Sequence, residues 1–399
     1  VVLDVVYNHT TSSGIWDKSV FDKLVPGYYH RYNEVSGEIE RSTCCENTAT
    51  EHVMMDKFVS DSLVILAREF GYDSFRFDVM GHMPKSSILA ARDAVQAVDE
   101  DNYFYGEGWD FGEVANNRLF VQAKQADMAG SEVGTFNDRI REAVRGGALF
   151  SNSSTDGNLA EQDTLRLSLA GNLQNYILKD FKGNSAKGNS FTWNTQPTAY
   201  ALDPADSIHY VSKHDNETLW DQLQYKHSTN MSIEQRVRAH NMALALPLMS
   251  QGIPFMQMGA DLLRSKSKDR NSYDSGDWFN FVDFTKDTNN WNIGLPPAQD
   301  NEVKWQEIMP ISANTQAAAQ PQDITFAHDV FNEFLQIRSS SPLFRLTTEQ
   351  DVIERVGFHN VGKAQQHGLI VMSIDDGEGL TDLDPAFDAL VVVINATEQ

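Results

Sequence analysis

Three carboxylates in this sequence stand where a reaction could use them. Asp78 closes Phe75-Arg76-Phe77-Asp78, Glu107 sits within Tyr105-Gly106-Glu107-Gly108-Trp109, and Asp215 follows Val211-Ser212-Lys213-His214. Each lies at the C-terminal end of an apolar, strand-like run. Carboxylates converging at strand ends suit glycoside hydrolysis: an ionised one attacks the anomeric carbon or stabilises its charge, and a protonated one donates to the leaving oxygen. The two roles need different pKa values, which their surroundings must impose. Arg76 lies two residues before Asp78 on the same strand face, where its charge should hold Asp78 ionised. Glu107, between two glycines and near Trp109, could be the group whose pKa is raised for proton donation. Trp109 offers a flat apolar face to a pyranose ring. Singly, these residues carry less. An acid near a strand end is ordinarily a solvated loop residue or helix cap, Arg76 and Asp78 could be a buried ion pair, and His9 or His214 a satisfied histidine.

The elements that must position these groups alternate along the chain. Strand-like runs at 1–7, 73–79, 102–106, 133–137, 208–213 and 252–258 have helical stretches between them, among them 51–70, 85–98 and 233–249. Such alternation predicts a parallel sheet with crossover helices. Functional side chains at the C-terminal ends of successive strands are the pattern of a (β/α)8 barrel. Six strands are visible where eight close a barrel, and Val1 already lies within the first run. The expected fold is therefore an α/β (β/α)8 TIM barrel lacking its first two strand–helix units. Segments 11–50, 146–194 and 264–301 interrupt the pattern and are expected to wall the site. From about residue 348, runs at 352–356, 369–374 and 390–394 read as strands without intervening helices. The expected domains are 1–345, the catalytic barrel from its third strand onward with long inserted loops, and 346–399, the start of a C-terminal antiparallel β-sandwich domain.

Composition narrows the partners. The 399 residues carry 32 Lys plus Arg against 56 Asp plus Glu, a formal charge of −24. No basic surplus exists to displace counterions from a nucleic acid or to dock on an anionic membrane surface. No apolar run of about eighteen residues suggests a transmembrane segment. Neutral sugars remain among the candidates. Cys44 and Cys45, the two cysteines, are adjacent, so a small-ring disulfide and a pair of reduced thiols both stay open. The sequence shows no spaced zinc pattern and no EF-hand loop.

Four segments together resemble the signature regions of the α-amylase superfamily of glycoside hydrolases: Asp4-Val5-Val6-Tyr7-Asn8-His9, Phe75-Arg76-Phe77-Asp78, Tyr105-Gly106-Glu107-Gly108-Trp109 and Val211-Ser212-Lys213-His214-Asp215-Asn216. Their order matches too. The Gly-Glu-Gly-Trp run looks like the pullulanase and limit-dextrinase branch. Tyr28-Tyr29-His30-Arg31, the segment 42–47 and the stretch from Leu262 through Asn280 are similar to bacterial type I pullulanases. The resemblance covers essentially the whole chain, which it implies is incomplete at both ends.

It implies retaining endo-hydrolysis of α-1,6-glucosidic branch linkages in pullulan, limit dextrin, amylopectin or glycogen. Asp78 would be the nucleophile, oriented by Arg76; Glu107 would be the acid/base, and Asp215 would hold hydroxyls of the reacting glucose. His9 and His214 would bond the same ring, Trp109 would stack near the branch, and Arg270 and Asn271 would contact neighbouring glucose units. The chemistry would require no cofactor, although structural calcium is common in the superfamily; its ligands are not singled out here. The location implied is extracellular or on a bacterial cell surface. Isoamylase, glycogen-debranching and amylopullulanase activities are rivals on the same scaffold, and a non-catalytic α-glucan-binding protein is a rival of another class.

Overall fold

In the computed structural model, which describes residues 1–151 and 154–397, the expected strand at 133–137 is present in full, and those at 1–7, 73–79, 208–213 and 252–258 are shorter than their apolar runs. The chain divides into two compact units, residues 1–136 with 200–207, and residues 137–199 with 208–399.

The first unit is built on parallel strands β1 (Val2–Val5), β2 (Ser74–Phe77), β3 (Tyr103–Gly106) and β4 (Val133–Asn137). Register aligns Asp4 with Arg76, Phe77 with Gly106, and Tyr105 with Gly134. Phe75, Phe77 and Phe104 are fully buried, and each such side chain contributes roughly 1.5–3 kcal/mol relative to exposure. Helix α1 (Val53–Phe70) packs on them because Met55, Val59, Leu63 and Ala67 recur every four residues along one face. Gly71 ends it at φ 69°, its N–H donating to the Ala67 carbonyl, a left-handed stop that glycine adopts without strain. Helix α2 (Lys85–Gln96) buries Ile88, Ala91 and Val95 in the same core.

In the second unit, β5 (Ser207–His209) runs parallel to β6 (Ile253–Pro254), with Ile208 opposite Ile253. Helix α3 (Asp138–Arg145) precedes α4 (Asp156–Leu169), which lies inside the inserted segment expected at 146–194. The Thr155 side chain accepts the Asn158 N–H and starts α4. Helix α5 (Leu219–Gln224) leads to α6 (Ile233–Met249), which fills its expected span behind a Ser232–Gln235 capping box. Helix α7 (Pro321–Ser340) follows and places Ile324 and Ala327 against Trp220 and Val237.

One expected strand is a helix. In place of the strand expected at 352–356, α8 spans Glu349–Arg355. Thr348 caps it by accepting the Asp351 N–H, and Val352 and Arg355 share its buried face. Arg355 pairs there with Asp351 and Asp376. The true strands are β7 (Val356–Phe358), β8 (Leu369–Asp375) and β9 (Ala389–Asn395), antiparallel with β8 central. Ile370, Met372 and Ile374 alternate inward along β8. Parallel strands with helices, together with separate antiparallel sheets, make this a mixed α/β structure. Among the described residues no helix is long and apolar enough to cross a membrane.

Several histidines are buried as neutral groups. Burial lowers His209 to about 3, and lowers His227 and His240 to about 4. Their folded pKa values lie below the usual 6.5, so the unfolded chain takes up protons that the folded one refuses. Stability should be full above about pH 6.5 and fall as pH drops from there toward 4, by up to about 1.4 kcal/mol per pH unit for each histidine. Urea denaturation between pH 7.5 and 5 measures the slope, and a slope of zero would contradict it.

Candidate active site

Because Phe77 and Gly106 are paired in register, the next residues, Asp78 and Glu107, leave neighbouring strand ends side by side. Their backbones are tied there: the Asp78 N–H donates to the Val5 carbonyl at 3.0 Å, and the Glu107 N–H to the Phe77 carbonyl at 3.0 Å. The flanking glycines are steric requirements. A Cβ on Gly106 would stand 2.6 Å from the Phe77 carbonyl oxygen, and one on Gly108 would stand 2.8 Å from the Gln125 nitrogen.

Arg76 bridges three carboxylates. One guanidinium nitrogen lies 2.8 Å from Asp4 and 3.3 Å from Asp78, and the other lies 2.8 Å from Glu107. The last contact is an ion pair without hydrogen-bond alignment. Burial disfavours the Arg76 charge, but Glu107, Asp4 and Asp78 outweigh it and raise the pKa above the usual arginine value. The sequence reading assigned Arg76 to Asp78 alone. It missed Asp4, which only the strand register identifies as a partner. The three acids differ in burial, with side-chain exposures of 54% for Asp4, 22% for Asp78 and 4% for Glu107. Glu107 is therefore the one most removed from water, as its proposed acid role wants, while its nearest charge is a cation, which opposes that role.

Backbone and amide groups complete the arrangement. Val79 sits at φ 39° and ψ 48°, a left-handed conformation that a β-branched residue rarely adopts, and its N–H donates to Glu107 Oε2 at 3.1 Å. Asn8 Nδ2 donates to the Asp78 carbonyl at 2.7 Å and to its carboxylate at 3.0 Å. Asn8 Oδ1 faces His9 Nδ1 at 2.6 Å, and His9 Nε2 lies 3.3 Å from Cys44 Sγ. Burial lowers the His9 pKa, with Asp78 acting in the other direction. Cys44 and Cys45 are joined as a vicinal disulfide, which resolves the alternative that sequence spacing left open.

A second buried arginine anchors the loop bearing that disulfide. Arg31 makes a two-point contact with Glu51 at 3.0 and 2.8 Å, and bonds Glu113 at 2.7 Å. Glu113 also accepts from Ser42 and from Asn47, the latter at 2.9 Å. Burial alone would raise the Glu113 carboxyl, but the bonds from Ser42, Arg31 and Asn47 prevail and bring it down to about 2. His82 is lowered to about 4 beside it, chiefly by burial.

Trp109 follows Glu107 and is half-buried; its carbonyl would lie 2.0 Å from a Cβ on Gly81. In the second unit, Asp215 bonds Lys213 Nζ at 2.9 Å and lies 3.5 Å from His214 Nε2. Lys266 Nζ donates to the His214 carbonyl at 2.8 Å. Arg270 is exposed, its N–H bonded to Asn301 at 3.0 Å, and the Asn271 amide donates to Asp300 at 3.1 Å. The structure thus brings His9, Arg76, Asp78 and Glu107 together at one cluster of strand ends, and places His214 and Asp215 on a lysine-braced turn. Glu113 and Lys213 are not among the expected site residues: the partners of Glu113 are far away in sequence, and Lys213 stands out only as part of the segment that ends in Asp215.

Two carboxylates thus stand side by side at the ends of parallel strands, and comparison with known proteins shows which family carries such a chain. Residues 286–399 match the family model described as alpha-1,6-glucosidases, pullulanase-type, C-terminal. The chain is 41% identical to a pullulanase of Klebsiella pneumoniae over 100% of its own length and 38% of the relative's. It is 42% identical to "Pullulanase 1, chloroplastic" of Arabidopsis thaliana over 99% of its length and 45% of the relative's. A crystal structure of Klebsiella pneumoniae pullulanase complexed with maltotriose superposes with TM-score 0.93 at 40% identity, covering 99% of this chain and 40% of that one. The chain belongs to the pullulanase family of glycoside hydrolases, and it spans less than half the length of these relatives.

The Arg31 network yields a stability prediction. Arg31→Met leaves Glu113 buried without its cation, which should cost about 3–5 kcal/mol. Because the folded Glu113 pKa is depressed, its contribution is full above about 4.5 and is lost as pH falls toward 2. The deficit of Arg31→Met should therefore shrink in acid. Thermal and urea unfolding at pH 7 and pH 4 check this, and an undiminished deficit at pH 4 would count against it.

Proposed function

We propose that this protein hydrolyses α-1,6-glucosidic branch linkages in pullulan and related α-glucans, with retention of configuration. The observation that carries the reading is Arg76, one guanidinium shared by Asp78 and Glu107 on adjacent strand ends. Asp78 attacks the anomeric carbon, and Glu107 protonates the departing oxygen. Proton transfer leaves Glu107 anionic beside Arg76, while bond formation removes the charge of Asp78. The cation that opposes a protonated Glu107 at rest therefore stabilises the charge that develops there during reaction. Water then attacks the glycosyl intermediate, with Glu107 taking its proton. Asp215 grips hydroxyls of the reacting glucose, His9 and His214 bond the same ring, Trp109 stacks near the branch, and Arg270 and Asn271 meet neighbouring units. The carboxylates suffice for this chemistry without a cofactor.

In the same reading the parallel strands belong to a (β/α)8 barrel entered at its third strand, with 1–345 as barrel and 346–399 as the start of the β-domain. A disulfide beside the site favours an oxidising compartment, in keeping with an extracellular bacterial setting. Relatives at 41–42% identity are pullulanases, which favours α-1,6 cleavage over isoamylase-type activity or simple binding.

The test exchanges this chain for the matching segment of the Klebsiella enzyme and measures maltotriose released from pullulan. Release is expected, and Glu107→Gln should lower kcat about 10²–10⁴-fold while maltotriose binding persists. A folded exchange protein that cleaves amylose and leaves pullulan intact would overturn the α-1,6 assignment. Undiminished kcat in Glu107→Gln would overturn the acid assignment.

A further inference from the structure

Beside Asp78, a relay of hydrogen bonds fixes the state of one imidazole. Asn8 spends its amide protons on Asp78, at 2.7 Å to the carbonyl and 3.0 Å to the carboxylate. Its remaining oxygen, Oδ1, can only accept, and His9 Nδ1 stands 2.6 Å from it. The proton of a neutral His9 is therefore on Nδ1, and the Nε2 lone pair points away from the relay. It faces sulfur: Cys44 Sγ is 3.3 Å from Nε2, and the donor atoms of His9, Cys44 and Cys45 all lie within 4.8 Å of one another. Tetrahedral thiolate and imidazole ligands of one zinc ion stand about 3.5–3.8 Å apart, given bonds of roughly 2.3 and 2.0 Å. An Nδ1–H held by an amide oxygen with Nε2 left open is the outer-shell arrangement that orients metal-binding histidines.

The geometry points to a redox-gated metal site: when the Cys44–Cys45 disulfide is reduced, the two thiolates and His9 Nε2 bind a thiophilic divalent cation such as Zn2+. As a disulfide the sulfurs are poor ligands, and the corner is closed to metal. A dithiol reductant supplies two electrons and two protons; the S–S bond breaks, two thiols form, and the dithiol becomes its own cyclic disulfide. Zn2+ then displaces one proton from each thiol to solvent, forming two Zn–S bonds, and His9 adds a third bond through its lone pair. Water takes the fourth position. Cys44 is exposed and open to a reductant, whereas His9 and Cys45 are half-buried, so the ion would be held against the protein. The inference concerns ligand chemistry alone and does not depend on which glucan the protein cleaves.

Cobalt and zinc titrations decide it on the whole chain. Protein reduced with dithiothreitol, and freed of it by gel filtration under nitrogen, is titrated with Co2+ beside untreated protein. The reduced chain should take up one equivalent, with sulfur-to-cobalt charge-transfer absorption that Zn2+ abolishes, while the oxidised chain shows no such band. His9→Ala should weaken cobalt binding about tenfold or more while keeping the thiolate band. Absence of the band in reduced protein overturns the inference, as does equal uptake by the oxidised form. Undiminished affinity in His9→Ala removes the imidazole from the site and also overturns it. Loss of the near-ultraviolet circular dichroism on reduction, before metal is added, overturns it too, because the fold would no longer hold the three donors together.

Discussion

A single guanidinium facing three carboxylates is the constraint around which the first unit is organised. Arg76 lies on a central strand between Asp4 on one side and the ends carrying Asp78 and Glu107. Burying a charge is costly unless it is paired, and here the acids offset the burial of Arg76 and keep it cationic. The arrangement leaves more negative than positive charge in one small region. Such an excess is tolerable where it is partly hydrated, and the gradation from exposed Asp4 to buried Glu107 spreads it across that range.

Holding that cluster takes backbone precision. The glycines beside Glu107 permit a strand-end approach that a methyl group would block, and the left-handed turn at Val79 directs an N–H onto the Glu107 carboxylate. A β-branched residue in that conformation costs on the order of 1–3 kcal/mol. The buried aromatic layer of Phe75, Phe77 and Phe104 beneath offsets such a cost. Local strain and dense packing are thus coupled: the first aims a donor, and the second keeps the turn from relaxing.

What the sequence disclosed follows from the range of each interaction. Strand existence, the span of 233–249 and the acids at strand ends were legible because they depend on local alternation, capping and neighbouring residues. The helix at Glu349–Arg355 was misread because Val352, Ile353 and Val356 favour extended structure, whereas the Thr348 cap and the burial of Arg355 against Asp376 decide otherwise. The Glu113 network was invisible for a different reason. Its partners Arg31, Ser42 and Asn47 are 82, 71 and 66 residues away, and no local pattern marks a residue for contacts at that separation. The pairing of the adjacent cysteines was likewise undecidable from spacing.

The two buried arginines divide the work of the first unit in a way that explains why both are needed. Arg76 meets acids of the strand ends, where charges must change if chemistry is to occur there. Arg31 meets Glu51 and Glu113, where nothing needs to change, and Ser42 and Asn47 also bond Glu113 there. The loop from Arg31 to Asn47 carries the disulfide to His9, and His9 reaches Asp78 through Asn8. A loose loop would let that relay wander. The Arg31 network therefore anchors the loop whose disulfide meets the imidazole beside Asp78.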